Sequence, residues 1–68
     1  MRSYRVSGLH DERAAEAIRQ ALLAHYGGGA AVEVYQSGGE SRNDRSADPQ
    51  IIRFLIEGTG HPVISVGG

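Results

Sequence analysis

The chain of 68 residues contains no cysteine. That excludes a disulfide framework and a thiolate metal site, two devices by which very small domains are commonly held together. With no cysteine the chain carries no sign of its redox compartment, and reducing cytosol stands as the default. Tryptophan is also absent, and one phenylalanine and three tyrosines are few stacking platforms for single-stranded nucleic acid. Neither sign of charge dominates. Seven basic against eight acidic side chains leave a formal net charge of −1, so no field gathers nucleic acid or an anionic membrane surface. No apolar run approaches the roughly 20 residues that span a bilayer, and the N-terminus has no apolar signal-peptide core. The expectation is one soluble domain over residues 1–68, near the lower edge of independent stability, with no nucleic-acid partner and no membrane insertion.

What the chain does contain is periodicity. Residues 3–7 alternate, with Tyr4 and Val6 on one side and Ser3, Arg5 and Ser7 on the other, the period of a half-buried strand. Gly8 breaks the alternation. Asp11 is placed to cap a helix by accepting backbone N–H bonds, and Glu12 suits its positive first turn. The helix is predicted over 12–26, with Ala14, Ile18, Ala21, Leu22 and His25 along one face and Arg13, Glu16, Arg19 and Gln20 around the other. Gly27, Gly28 and Gly29 end it.

A second strand is predicted over 31–36, Val32 and Val34 inward and Glu33 and Tyr35 outward, leading into a hairpin turn at Ser37-Gly38-Gly39. The returning strand, 40–45, has no apolar residue. Asp48-Pro49 signals a helix start, an acceptor at the N-cap and a proline at the first helical position, where its missing N–H costs nothing. That helix runs to Glu57, with Ile51, Ile52, Leu55, Ile56 and Thr59 in one arc and Phe54 at its flank. His61-Pro62 makes an extended corner, residues 63–66 form a last strand, and Gly67-Gly68 form a frayed end.

The order strand, helix, strand, strand, helix, strand implies an α+β, ferredoxin-like βαββαβ sandwich: a four-stranded antiparallel sheet with both helices on one face. The other face would be open to water.

Several stretches fit one family pattern. Tyr4-Arg5-Val6-Ser7-Gly8-Leu9-His10 stands where that family has a strand running into Gly-Met-His. Ala15, Ile18, Ala21 and Leu22 match its first helix, Ser37-Gly38-Gly39-Glu40 its hairpin, Asp48-Pro49 with Ile52 and Ile56 its second helix, and Gly60-His61-Pro62 its Gly-Tyr-Pro. On these residues the chain resembles the heavy-metal-associated domain of copper chaperones, mercury-binding proteins and the N-terminal modules of metal-pumping ATPases, across most of residues 4–66. The family's metal chemistry resides in Met-x-Cys-x-x-Cys, whose two thiolates bind soft ions. Here the methionine place is Leu9 and the thiolate places are Asp11 and Ala14, so a Cu(I) or Hg(II) shuttle of the family type is not expected.

The resemblance also implies that the loop before the first helix lies beside the loop before the last strand, bringing His10, Asp11 and Glu12 near His61. Some members carry a metal-touching histidine at the place of His61. Two imidazoles with one or two carboxylates suit Zn(II), Ni(II), Co(II) or Cu(II). The first functional expectation is therefore a non-enzymatic domain that binds or hands on such an ion, with a metal transporter or another protein domain as partner. The alternative is a metal-free interaction module, its contact surface the open sheet face or the polar hairpin edge. Each candidate ligand also has a plain structural role: Asp11 as helix cap, Glu12 as first-turn acid, His10 as a solvated loop residue, and His61 as a ring packed over the loop that offers a ring N–H to a backbone carbonyl. Catalysis is not expected. His25 sits near a helix C-terminus, no serine lies in a nucleophile elbow, and the glycine run follows a helix rather than a strand as a phosphate loop would.

The third strand carries a separate expectation. Its inward places, apolar in the family, are Ser41 and Asn43, and each buried polar group without a partner costs on the order of 1–3 kcal/mol. Either the strand is short and wet, or a partner such as a second copy of the domain covers it by self-association through the sheet.

Overall fold

A computed structural model describes residues 1–27 and 32–67. The elements are β1 (Arg2–Val6), α1 (Glu12–Tyr26), β2 (Val32–Tyr35), β3 (Glu40–Asn43), α2 (Pro49–Glu57) and β4 (Val63–Gly67). The strands form one antiparallel sheet in the order β2-β3-β1-β4, the ferredoxin-like βαββαβ arrangement. Both helices are fixed at their starts by local chemistry. Asp11 accepts the Ala14 N–H at 2.8 Å, and Asp48 accepts the Gln50 N–H at 2.9 Å with Pro49 behind it.

The core lies between the helices and one sheet face. Tyr4, Leu9, Ile18, Leu22, Ile52 and Ile56 are essentially inaccessible, with Val6, Ala14, Ala15 and Val63 close behind. Alternation in β1 and β2 is as the pattern requires: Tyr4 and Val6 are buried, Val32 and Val34 half-buried, Glu33 and Tyr35 exposed. Ser41 and Asn43 do face inward and are buried. Register explains why. Tyr4 stands opposite Ser41, which stands opposite Val34, and Arg2, Asn43 and Val32 form the next row. A slip of one residue would turn Arg42 inward instead.

Several boundaries differ from expectation. The first strand stops at Val6: the Ser7 N–H still bonds the Pro62 carbonyl in register at 2.9 Å, but proline has no N–H to return the bond. The third stops at Asn43. Asp44 accepts both the backbone N–H of Ser46 at 2.8 Å and its hydroxyl at 2.6 Å, a local turn that competes with further pairing. Gly67 is not frayed but paired with Ser3. His25 is exposed, its ring set edge-on against Tyr26, and Ile51 is 39% exposed. A nine-residue helix resting on a narrow strip of core buries only Ile52 and Ile56 of the predicted arc, with Leu55 and Thr59 half-buried. The expected glycine exit at Gly28 and Gly29, the strand start at residue 31 and the end at Gly68 lie outside the described residues.

Candidate functional site

The loop between β1 and α1 is built around Gly8 and Leu9. Gly8 has φ +77, a conformation that L side chains avoid, and a Cβ there would come within 3.0 Å of the His61 Nδ1. The turn closes with the His10 N–H on the Gly8 carbonyl at 3.0 Å. Leu9 drops into the core with no exposed surface and anchors the loop from below. Asp11 is extended, φ −137 and ψ 170. Its carboxylate holds Ala14, and its carbonyl accepts the Ala15 N–H at 3.2 Å. Ala14 is itself buried in the core.

Across from this loop lies Gly60-His61-Pro62, as the resemblance implied. The His61 Nδ1 is 3.1 Å from the Ser7 carbonyl, an acceptor only, so Nδ1 donates and Nε2 is the ring nitrogen left outside this bond. Glu57 fixes the exit from this corner by accepting the Val63 N–H at 3.2 Å. The structure thus sets His61 against Gly8. His10, Asp11 and Glu12 are exposed on the loop and first helical turn, and Glu12 shares a shallow groove with Arg13, Glu16 and Gln20 along α1. Among the described residues, no three histidine, aspartate or glutamate side chains gather as a metal ion would require.

The bond from His61 matches the plain reading of that residue, a ring over the loop offering an N–H to a backbone carbonyl. One feature was not read from the sequence: a cleft of about 320 Å³ running from the loop onto the open sheet face, lined by Arg5, Ser7, His10, Gln36, Ser37 and Ile64 among others. It exists because the Val6 N–H reaches the Gly39 carbonyl at 2.8 Å, drawing the hairpin tip against the loop. Gly39 takes φ +61 there, so the glycine pair in the hairpin was the available signal.

The open face beyond the cleft is a lattice of charge. The Tyr35 hydroxyl donates to Glu33 at 2.6 Å, Arg42 Nε donates to Glu40 at 3.0 Å, and the Arg42 guanidinium lies 5.2 Å from the Tyr35 ring centre. Hydrogen bonding to Ser3 and to Arg42 lowers the Glu40 carboxyl, and the bond to Glu33 raises the Tyr35 phenol. Arg5 pairs opposite Glu40 in the ladder.

Element order and register define the class of fold: a ferredoxin-like βαββαβ domain. A solved structure similar to this chain is the copper chaperone Atx1 from Synechocystis PCC6803 in its Cu2 form, with a TM-score of 0.78 and 23% sequence identity over 90% of this chain and 95% of that one. At that identity the likeness is one of fold. No protein-family model and no curated protein matches the sequence. Among the described residues, no helix is long and apolar enough to cross a membrane.

Proposed function

We propose that this chain is a degenerate heavy-metal-associated domain that works as a metal-free, non-enzymatic protein-interaction module. One observation carries the reading: both places that the resemblance assigns to thiolates serve the fold. Asp11 caps α1 at 2.8 Å and Ala14 fills the core. The surface offered to a partner is the open sheet face with Arg5, Glu33, Tyr35, Glu40 and Arg42. Opposite charges interspersed with an aromatic ring suit a protein surface of complementary charge, either another domain or a second copy.

A second reading rests on His61. An imidazole whose Nδ1 is held by a backbone carbonyl presents Nε2 in the manner of a metal-ligating histidine, and His10 is exposed on the adjoining loop. These two, with Asp11 or Glu12 completing the set, would take Zn(II), Ni(II), Co(II) or Cu(II) and hand it to a transporter or other acceptor.

One titration decides between them. Each of the four ions is added to isotopically labelled protein while amide and imidazole resonances are followed. The interaction reading expects no selective change in residues 8–14 and 60–62 at micromolar excess of ion. Selective shifts there, lost in a His10→Ala, His61→Ala double variant, would overturn it in favour of the metal reading. A sedimentation series with and without Arg42→Glu then asks whether the partner is a second copy. A monomer at every concentration removes self-association and leaves a heterologous domain.

A further inference from the structure

The end of the sheet opposite the loop holds a second group of polar side chains, and these are buried. Among the described residues, the buried side-chain oxygens without a hydrogen-bond partner are the Tyr4 hydroxyl, the Tyr26 hydroxyl and Asn43 Oδ1. Tyr4 and Asn43 are 0% and 1% exposed.

The topology carries them toward the same end of the sheet. β1 begins, β2 begins and β3 ends at this pole, with Arg2, Asn43 and Val32 in one row and Tyr4 in the row beside it. Helix α1 leaves the loop pole and runs back along the sheet for 15 residues, a length of about 22 Å at 1.5 Å per residue. Its last residue, Tyr26, therefore returns to the same pole, where it packs against the core. Burial pushes the Tyr4 phenol above its ordinary value, and the Arg2 side chain, close to its hydroxyl but outside hydrogen-bond geometry, pulls it partly back.

The Asn43 amide is half satisfied. Its Nδ2 donates to the Ser41 Oγ at 3.1 Å, leaving Oδ1 in need of a donor. Turning the amide over lets the Ser41 hydroxyl donate instead and strands the nitrogen, so either orientation leaves one polar end unpaired. Two phenol hydroxyls and one amide end, all shielded from bulk solvent, form the kind of polar lining that holds an internal water through two to four hydrogen bonds.

We propose that one water molecule is held inside the domain between the Tyr4 hydroxyl, the Tyr26 hydroxyl and the Asn43 amide, and that this hydration site lets β3 run through the core with polar residues facing in. The water accepts from or donates to either phenol and donates to Asn43 Oδ1. It makes a second copy of the domain unnecessary for satisfying the third strand.

A crystal structure of the whole chain, at a resolution that shows ordered solvent, tests this directly. The expected result is a water within about 2.6–3.2 Å of the Asn43 amide and of at least one of the two hydroxyls. Direct bonding of all three groups to protein atoms, with no water joining any two, would overturn the proposal. In solution, magnetisation transfer from long-lived water to the Asn43 side-chain amide protons should be seen in the wild type. It should be weakened or lost in Tyr26→Phe, which keeps the ring and removes one hydroxyl. Transfer that is absent in the wild type, or unchanged in the variant, counts against a shared site. If Tyr26→Phe does not fold, the wild-type crystal structure and transfer experiment decide alone.

Discussion

The two poles of the sheet deploy polar side chains in opposite ways. At the loop pole, His10, Asp11 and Glu12 are ionisable and exposed, and His61 is half-buried. Those with a partner are matched to backbone groups: Asp11 to a helix N–H, His61 to a strand carbonyl. At the far pole, Tyr4, Tyr26 and Asn43 keep their polar ends buried without a protein partner among the described residues. The loop that the resemblance matches to a metal-binding motif does structural work, while the interior, where the resemblance expects apolar residues in β3, holds the unmet hydrogen bonds. A family pattern therefore locates the conspicuous residues without locating the unsatisfied chemistry.

Substitutions at the two poles sharpen that contrast. The largest effect should come from the buried pole. Tyr4→Ala removes an inaccessible ring at the centre of the sheet and should cost about 3–5 kcal/mol by chemical denaturation, comparable to the whole stability expected of so small a domain. A loss below about 1 kcal/mol would show that this pole is loosely packed. Next comes Gly8→Ala at the loop pole. The positive φ alone should cost about 1–2 kcal/mol, and the methyl group should displace the His61 ring, moving its resonances. An unshifted His61 would mean that the two loops are not in contact.

Third, Asp11→Ala should destabilise by about 1 kcal/mol, whereas Asp11→Asn, still a good cap, should lose only a few tenths. Equal losses in the two variants would show that the charge of Asp11 at the helix N-terminus, and not the cap bond alone, supplies the stability. The smallest effect concerns acid. Glu40 is lowered chiefly by Ser3 and Arg42, Glu16 by Gln20 and then Arg19, and Asp44 by Ser46. With folded values below unfolded ones, the unfolded chain takes up protons first as pH falls. This contribution is complete above the ordinary glutamate value of 4.5 and lost on acidification through the folded values. Melting temperature against pH should show that decline, shallower in Glu40→Gln. Because all three groups are exposed, the change should be modest and should shrink in salt.

Much of this was legible in the chain. The helix starts at Asp11 and Asp48-Pro49 depend on neighbours two or three residues away, so local chemistry sufficed. The element order then determined the layers, and alternation put Ser41 and Asn43 inside. What could not be read depended on contacts between distant segments. Which carbonyl His61 meets, Ser7 at 54 positions' distance, and where Tyr26 packs against the core follow only once the elements have been laid across one another. Ile51 shows a related limit: a helical wheel gives direction, but the width of the underlying core decides how far round the helix burial extends.

The pairing of Ser3 with Gly67 has a mechanical consequence. It sets both ends of the described chain side by side on neighbouring strands, one central and one at the sheet edge. A force drawing those ends apart would meet the β1–β4 ladder one hydrogen bond at a time, unzipping it from the buried polar pole toward the Gly8 loop, instead of shearing all its bonds at once. Under tension the edge strand should part first, at low load, while the three-stranded remainder still carries both helices.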